Sequence, residues 1–394
     1  DTSLFSTTLN ALDTNTTGGI DASTVTTLTG NISEINNAYE SSSINGFGDE
    51  SIIISDTSLF STTLNALDTN TTGIVNAGSV TSLSGTSETL SKAYNSSGVT
   101  GLGNEAVTIT DTSVAASDLN TLDGKTTGKI DASSLTKLTG TGTDAKTAFE
   151  SAGISGLTFD ASNYLASYTD LLTAFGNDLV TAKSHYFANG VSEGRSFDAF
   201  DETSYLASYS DLLGAFGTNI DKALIHYINH GYSEGRTVSF DGNSYLASNT
   251  SLIGTVTDAA AHYVNTGYAA GLALDTFDEL SYLASNSSLI GSTSVADATK
   301  HYVETGYAAG NAADSFDEFG YIASYSDLIG AFGTNGAAGT EHFIDFGSTE
   351  GRTVSFNASE YLAAYADLRA AFGSDQEAAK KHFIENGFNE GRIG

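Results

Sequence analysis

Residues 1–18 read DTSLFSTTLNALDTNTTG, and residues 56–73 repeat those letters without a change. A third version, DTSVAASDLNTLDGKTTG, fills residues 111–128, so the pattern restarts at Asp1, Asp56 and Asp111. Self-similarity with a period of about 55 residues marks an array of structural repeats. Outward from the second copy, SIIIS at 51–55 is strand-like, and Phe60, Leu64 and Leu67 then recur at the i, i+4, i+7 spacing of a helix. Residues Ile74 to Leu83 are β-branched and bounded by glycines; Leu90 and Tyr94 mark a second helix. Strand, helix, strand, helix gives about 27 residues per coil, which predicts an α/β solenoid with parallel strands on one wall and helices on the other.

From Phe159 a different repeat takes over: FDASNYLASYTDLLTAFGNDLVTAKSHYFANGVSEGR. Its anchors Tyr164, Tyr205, Tyr245, Tyr282, Tyr321 and Tyr361 define six copies of about 40 residues. In the first copy Tyr164, Leu165, Tyr168, Leu171, Leu172 and Phe175 fall on one helical face, with Asp160 as N-cap and Gly176 as stop. A second helix, from about Leu179 to Asn189, leads to the turn Glu193-Gly194-Arg195. The expected organisation is three α/β solenoid repeats over 1–157, then an α-solenoid of six helical hairpins over 158–394, one array stacked directly on the other.

Six of the seven histidines occupy one position of the helical repeat: His185, His226, His262, His301, His342 and His382. A metal centre or catalytic base needs ligands that converge. These residues are spread one per copy, so the expected role is structural, the imidazole bridging its helix and the glycine nine residues on. His230 has no counterpart and is expected at the surface. Asp170, Asp211, Asp327 and Asp367 recur in the copies that end in Arg195, Arg236, Arg352 and Arg392. Copies three and four lose both, with Ser251 or Ser288 for the acid and Leu272 or Asn311 for the arginine. Joint loss predicts an Asp–Arg clamp, since removing one partner strands the other's charge; the same copies also lose the Ala-Phe-Gly stop and the glutamate of Glu-Gly-Arg, so a Glu–Arg contact or a solvated pair are the alternatives.

Composition excludes much. Lys and Arg total 15 against 47 Asp and Glu, a net charge of -32, which disfavours nucleic acid and anionic membrane surfaces as partners. There is no Cys, Met, Trp or Pro, so disulfides, thiolate metal sites and cysteine nucleophiles are ruled out. No apolar run is long enough to insert in a membrane. LDTNTTG places Asp13, Asn15 and Gly18 at calcium-loop positions but has Thr24 where the bidentate glutamate belongs, and Lys125 intrudes in the third copy. No cofactor is expected; calcium at the turns 46–50 and 101–105, through backbone carbonyls, is the one metal chemistry left open. No nucleophile elbow, phosphate loop or zinc motif is present.

YLASYTDLLTAFG with HYFANGVSEGR, and YLASYSDLLGAFG with HYINHGYSEGR, resemble a repeat of giant secreted cell-surface proteins of cyanobacteria and marine proteobacteria. LNTLDGKTTGKIDASSLTKLTG is similar to another repeat of that class, which includes surface-layer components, adhesins and hemolysin-like proteins. The resemblance implies an extracellular, non-enzymatic structural protein: a self-assembling subunit of a surface layer, sheath or filament, or an adhesin stalk. A glycan-binding adhesive module of a larger secreted protein is the alternative. The expected partner is a second copy of the chain, in a homopolymer or array, then cell-surface glycans. The sequence opens at Asp1 inside a repeat, without the strand that SIIIS supplies to the next copy; either a longer precursor or another subunit covers that end, and another subunit is expected in an assembled filament.

Overall fold

The computed structural model describes residues 1–393. It divides into two compact units, Asp1–Glu202 with Asp221–Thr237, and Thr203–Ile220 with Val238–Gly394. Parallel sheets alternate with helices in the first part of the chain, and helices alone follow.

In the first unit the strands are β1 (Ser3–Phe5), β2 (Ile20–Asp21), β3 (Thr27–Gly30), β4 (Ile44–Asn45), β5 (Ser51–Ile54), β6 (Ser58–Phe60), β7 (Val75–Asn76), β8 (Ser82–Gly85), β9 (Val99–Thr100), β10 (Ala106–Ile109), β11 (Ser113–Ala115), β12 (Ile130–Asp131), β13 (Lys137–Thr139) and β14 (Ile154–Ser155). They form the parallel sheets β1-β3-β5-β7-β9 and β14-β12-β10-β8-β6, with the pairs β2-β4 and β11-β13 beside them. The register climbs by one coil at each pairing, as Leu4↔Leu28↔Ile52↔Val75 and Leu59↔Leu83↔Val107↔Ile130. The coil is therefore about 24 residues, shorter than the even split of the repeat predicts; its order is strand, helix, strand, and one further strand, β5 or β10, follows the second and the fourth coil. Between β1 and β2, and again between β3 and β4, a long step contains a helix. The short steps from β2 to β3, from β4 to β5 and from β5 to β6 contain none and turn a corner. The two consecutive short steps form a doubled corner around β5, which pairs with β3 on one side and β7 on the other.

Local chemistry explains the corners. Asp21 accepts from the Ser23 amide at 3.0 Å, Asn76 from Gly78 at 2.9 Å and Asp131 from Ser133 at 3.0 Å, turns in which a short side chain replaces a backbone acceptor. Each sheet carries an apolar ladder inward: Leu28, Ile52 and Val75 in one, Leu83, Val107 and Ile130 in the other, all essentially inaccessible. Burying such a side chain contributes about 1.5–3 kcal/mol, and helices of the same coil and of its neighbour both pack on strands such as β3 and β8. Leu64 and Leu67 are buried as the helical spacing predicts, but Phe60 is 63% exposed, because it ends strand β6 before the helix Ser61–Asn70 begins.

The expected helical hairpin is replaced by something more broken. The first copy runs Ala161–Ala166, Thr169–Phe175 and Leu179–His185, then a π-helical turn Tyr186–Gly190. The single helix expected across Tyr164 to Phe175 is interrupted at Tyr168, whose φ of -135° is extended. Asp160 caps the first helix through the Ser162 amide at 2.7 Å, and Gly176, at φ 60°, ends the second. This copy seats on the α/β region within the first unit: Phe149 meets the rings of Phe159, Tyr186, Phe187 and Phe197 at 5.2–6.2 Å, and the Phe197 amide donates to Thr136 O at 2.8 Å. The fifth and sixth copies, in the second unit, keep the three helices and the π turn. In copies three and four the middle helix shrinks to a 3-10 turn, Thr250–Leu252 and Ser287–Leu289.

Candidate functional site

The recurring histidine meets the recurring tyrosine. Tyr Oη lies 2.9 Å from His Nδ1 in Tyr164–His185, 2.7 Å in Tyr245–His262, 2.8 Å in Tyr282–His301, 2.9 Å in Tyr321–His342 and 3.0 Å in Tyr361–His382. The tyrosines are buried. The imidazole's partner is thus the anchor phenol rather than the glycine turn. A different glycine serves the pair: Gly190, Gly267, Gly306, Gly347 and Gly387, five residues after the histidine, end the π turn where a Cβ would overlap the tyrosine hydroxyl. The glycine nine residues after the histidine, such as Gly194 at φ 70°, supplies the left-handed turn.

Burial raises the ionisation of Tyr164, Tyr245, Tyr321 and Tyr361. Tyr321 and Tyr361 are pushed up to about 12, mainly by burial, and Tyr164 moves the same way for the same cause. A phenol with a raised folded value contributes stability that is intact below the unfolded value of about 10 and is lost as pH rises through the folded value. Tyrosinate absorbance from these residues is therefore expected to appear above pH 10, together with loss of helical circular dichroism. Independent titration near 10 with the helical signal intact would contradict the buried pairs.

The Asp–Arg clamp is present with a third member. Arg195 contacts Asp170 at 3.0 and 2.8 Å, Arg352 contacts Asp327 at 2.8 Å, and Arg392 contacts Asp367 at 3.2 and 2.8 Å. The same guanidinium bonds Glu193, Glu350 or Glu390 through Nε at 2.5–2.6 Å, so the Glu–Arg contact coexists with the clamp. It also lies 4.7–4.9 Å above the ring of Tyr168, Tyr325 or Tyr365. The arginine hydrogen bond, first among the causes, holds Asp170, Asp327 and Asp367 below the usual carboxylate range. In the second copy Arg236 bonds Glu234 at 2.8 Å, and His226 and Asp211 are each engaged as well. His230 is exposed, its ring 5.7 Å from that of His226.

Sequence reasoning misses that tyrosine although a signal exists. Copies three and four, which lose the acid and the arginine, also carry Asn249 and Asn286 in its place. Where Tyr168 accepts the Ser196 amide at 2.6 Å, Asn249 donates instead to Tyr245 O and Ala273 O, both at 2.7 Å. Asn286 does the same toward Tyr282 O and Ala312 O at 2.8 Å. The glutamate is lost too, as Ala270 and Ala309, so four side chains change as a set and the middle helix contracts with them.

The turns considered for calcium are built around a buried acid. Glu105 accepts from the Gly103 amide at 2.8 Å, the Asn104 amide at 3.1 Å and the Tyr94 hydroxyl; Glu50 accepts from Gly48 at 2.8 Å and from Tyr39. Both glutamates are inaccessible. Burial, then the hydrogen bond and charge of Glu105, pushes the Tyr94 phenol well up. Asp13 of the LDTNTTG motif accepts from Ser41 at 2.8 Å, Asp68 from Ser96 at 2.7 Å and Asp123 from Ser151 at 2.6 Å, each tying one helix end to the next. Among the described residues no group of three or more His, Asp or Glu side chains gathers as a metal would require, and no helix is long and apolar enough to cross a membrane.

No protein-family model, curated protein or solved structure matches this chain.

Proposed function

We propose that the chain is an extracellular structural protein, a self-assembling subunit of a surface layer, sheath or filament, or the stalk of an adhesin. In this reading residues 1–157 are an α/β solenoid of three repeats of about 55 residues, and residues 158–394 an α-solenoid of six helical repeats. One observation carries it: the polar residues that recur are consumed in bonds that hold the scaffold. Asn10, Asn65 and Asn120 donate to the next helix at 2.8–2.9 Å, Asp13, Asp68 and Asp123 receive serines, and the Tyr–His and Asp–Arg–Tyr sets close each helical copy that carries them. Side chains that perform chemistry converge on one place; these are distributed at repeat spacing. The likeness of YLASYTDLLTAFG and HYFANGVSEGR to repeats of secreted surface proteins points the same way.

The mechanism is mechanical. Apolar faces are covered by neighbouring coils, and a net charge of -32 keeps the exterior hydrated. At about 1 M ionic strength the screening length falls to ~3 Å, so in brine that charge no longer opposes contact between copies. Purified chain imaged by electron microscopy, with light scattering in saline buffer with and without calcium, is expected to show ordered fibres or sheets. A stable, monodisperse monomer in both conditions would sink self-assembly.

The glycan-binding reading draws on Phe5 and Phe60, rings 64% and 63% exposed at equivalent places in two repeats. Such rings can stack on sugar faces. A single competable hit on a glycan array would favour it over the scaffold.

A further inference from the structure

The first helical copy meets the α/β region around a cavity of about 390 Å³. Phe149, Phe159 and Phe187 line it with ring centroids 5.5–5.9 Å apart, together with the buried Leu157. Lys146, Glu150, Thr158 and Lys183 complete the lining. Two ammonium groups beside three phenyl rings are unusual in a chain with 15 basic and 47 acidic residues. Lys146 is paired with Glu150, whereas Lys183 makes no ion pair among the described residues.

The other helical copies show what the position of Lys183, two residues before the histidine, does. Leu224 and Ala260 are buried there. Thr299 donates to the Glu279 carboxylate at 2.7 Å, and Lys380 holds the Asp317 carboxylate at 2.8 Å. Twice, then, this position binds a carboxylate from elsewhere in the fold. In the first copy the lysine is exposed beside an apolar cavity and has no such partner.

We propose that this cavity binds a carboxylate carried on an aromatic or aliphatic body, with Lys183 receiving the acid and the three phenylalanines receiving the apolar part. The size and the lining, mostly apolar with a few charged groups, are those of small-molecule sites. A charge-assisted hydrogen bond at the rim contributes enough to discriminate acid from amide by about tenfold or more. This inference is independent of the scaffold reading, which stands or falls on assembly.

The test is isothermal titration calorimetry of the full chain with 3-phenylpropanoate at low salt. Saturable one-site binding is expected, weakened about tenfold or more when 3-phenylpropanamide replaces the acid and when Lys183→Met replaces the wild type. Lys92→Met, a lysine removed from the cavity, is expected to bind as the wild type does. Absence of saturation at concentrations on the order of 10 mM, equal affinity for acid and amide, or undiminished binding by Lys183→Met would each overturn the proposal.

Discussion

Replacing Glu105 by alanine is expected to lower the unfolding free energy of the first compact unit by about 4 kcal/mol. The side chain is fully buried and accepts from three donors: the Gly103 and Asn104 amides and the Tyr94 hydroxyl. Truncation removes all three acceptor contacts at once and leaves the half-buried Tyr94 hydroxyl facing a void, and a donor left unpaired away from water costs about 1–3 kcal/mol. Glu105→Gln keeps an oxygen for the two amides, while its amino group turns toward a phenol oxygen that can accept; its expected cost is about 1–2 kcal/mol. Urea denaturation followed by circular dichroism separates the two variants. If alanine costs less than about 1 kcal/mol, the glutamate is no plug and the turn is held by its glycines alone.

Gly347→Ala should be nearly as damaging, at about 3 kcal/mol. A methyl group there overlaps the hydroxyl of Tyr321, so either the π turn or the buried ring has to move, and the 2.9 Å bond to His342 goes with it. Overpacking of this kind costs about 1–3 kcal/mol, and the lost hydrogen bond about 1 more. Tyr321→Phe alone should cost about 1 kcal/mol. The informative variant is the double one, because deleting the hydroxyl makes room for the methyl. Gly347→Ala with Tyr321→Phe is expected to be more stable than Gly347→Ala alone by about 1 kcal/mol, a coupling that a mutant cycle reads directly. Strict additivity would show that glycine and hydroxyl do not meet.

Legibility in the sequence follows the reach of each signal. Periodicity exposes the succession of α/β and helical regions, since a pattern such as Leu64 and Leu67 is local and repeats. The coil length is hidden, because an even division of the repeat into two ignores the extra short step that the chain spends on the doubled corner between β5 and β6. The break at Tyr168 is hidden because its spacing fits a helix; what overrides it is the ring's place under Arg195, with its hydroxyl on the Ser196 amide. The Asp–Arg contact is readable because two copies lack both members. The His–Tyr pair is not, since neither residue varies across the six copies and no co-variation can mark the contact. Nothing local marks Glu50 and Glu105 in their glycine turns as interior, and only the three-dimensional return of Tyr39 and Tyr94 reveals them as such.

The doubled corner also bears on how such a chain changes length over generations. Recombination between the identical stretches 1–18 and 56–73 would add or delete one whole repeat at a stroke. Because the succession of long and short steps restarts at each copy, every strand on either side of such a junction finds a neighbour of the kind it had before. Slippage by any fraction of that cadence would set a corner against a helix. Inheritance can therefore lengthen or shorten the molecule in whole units while leaving its hydrogen bonding intact.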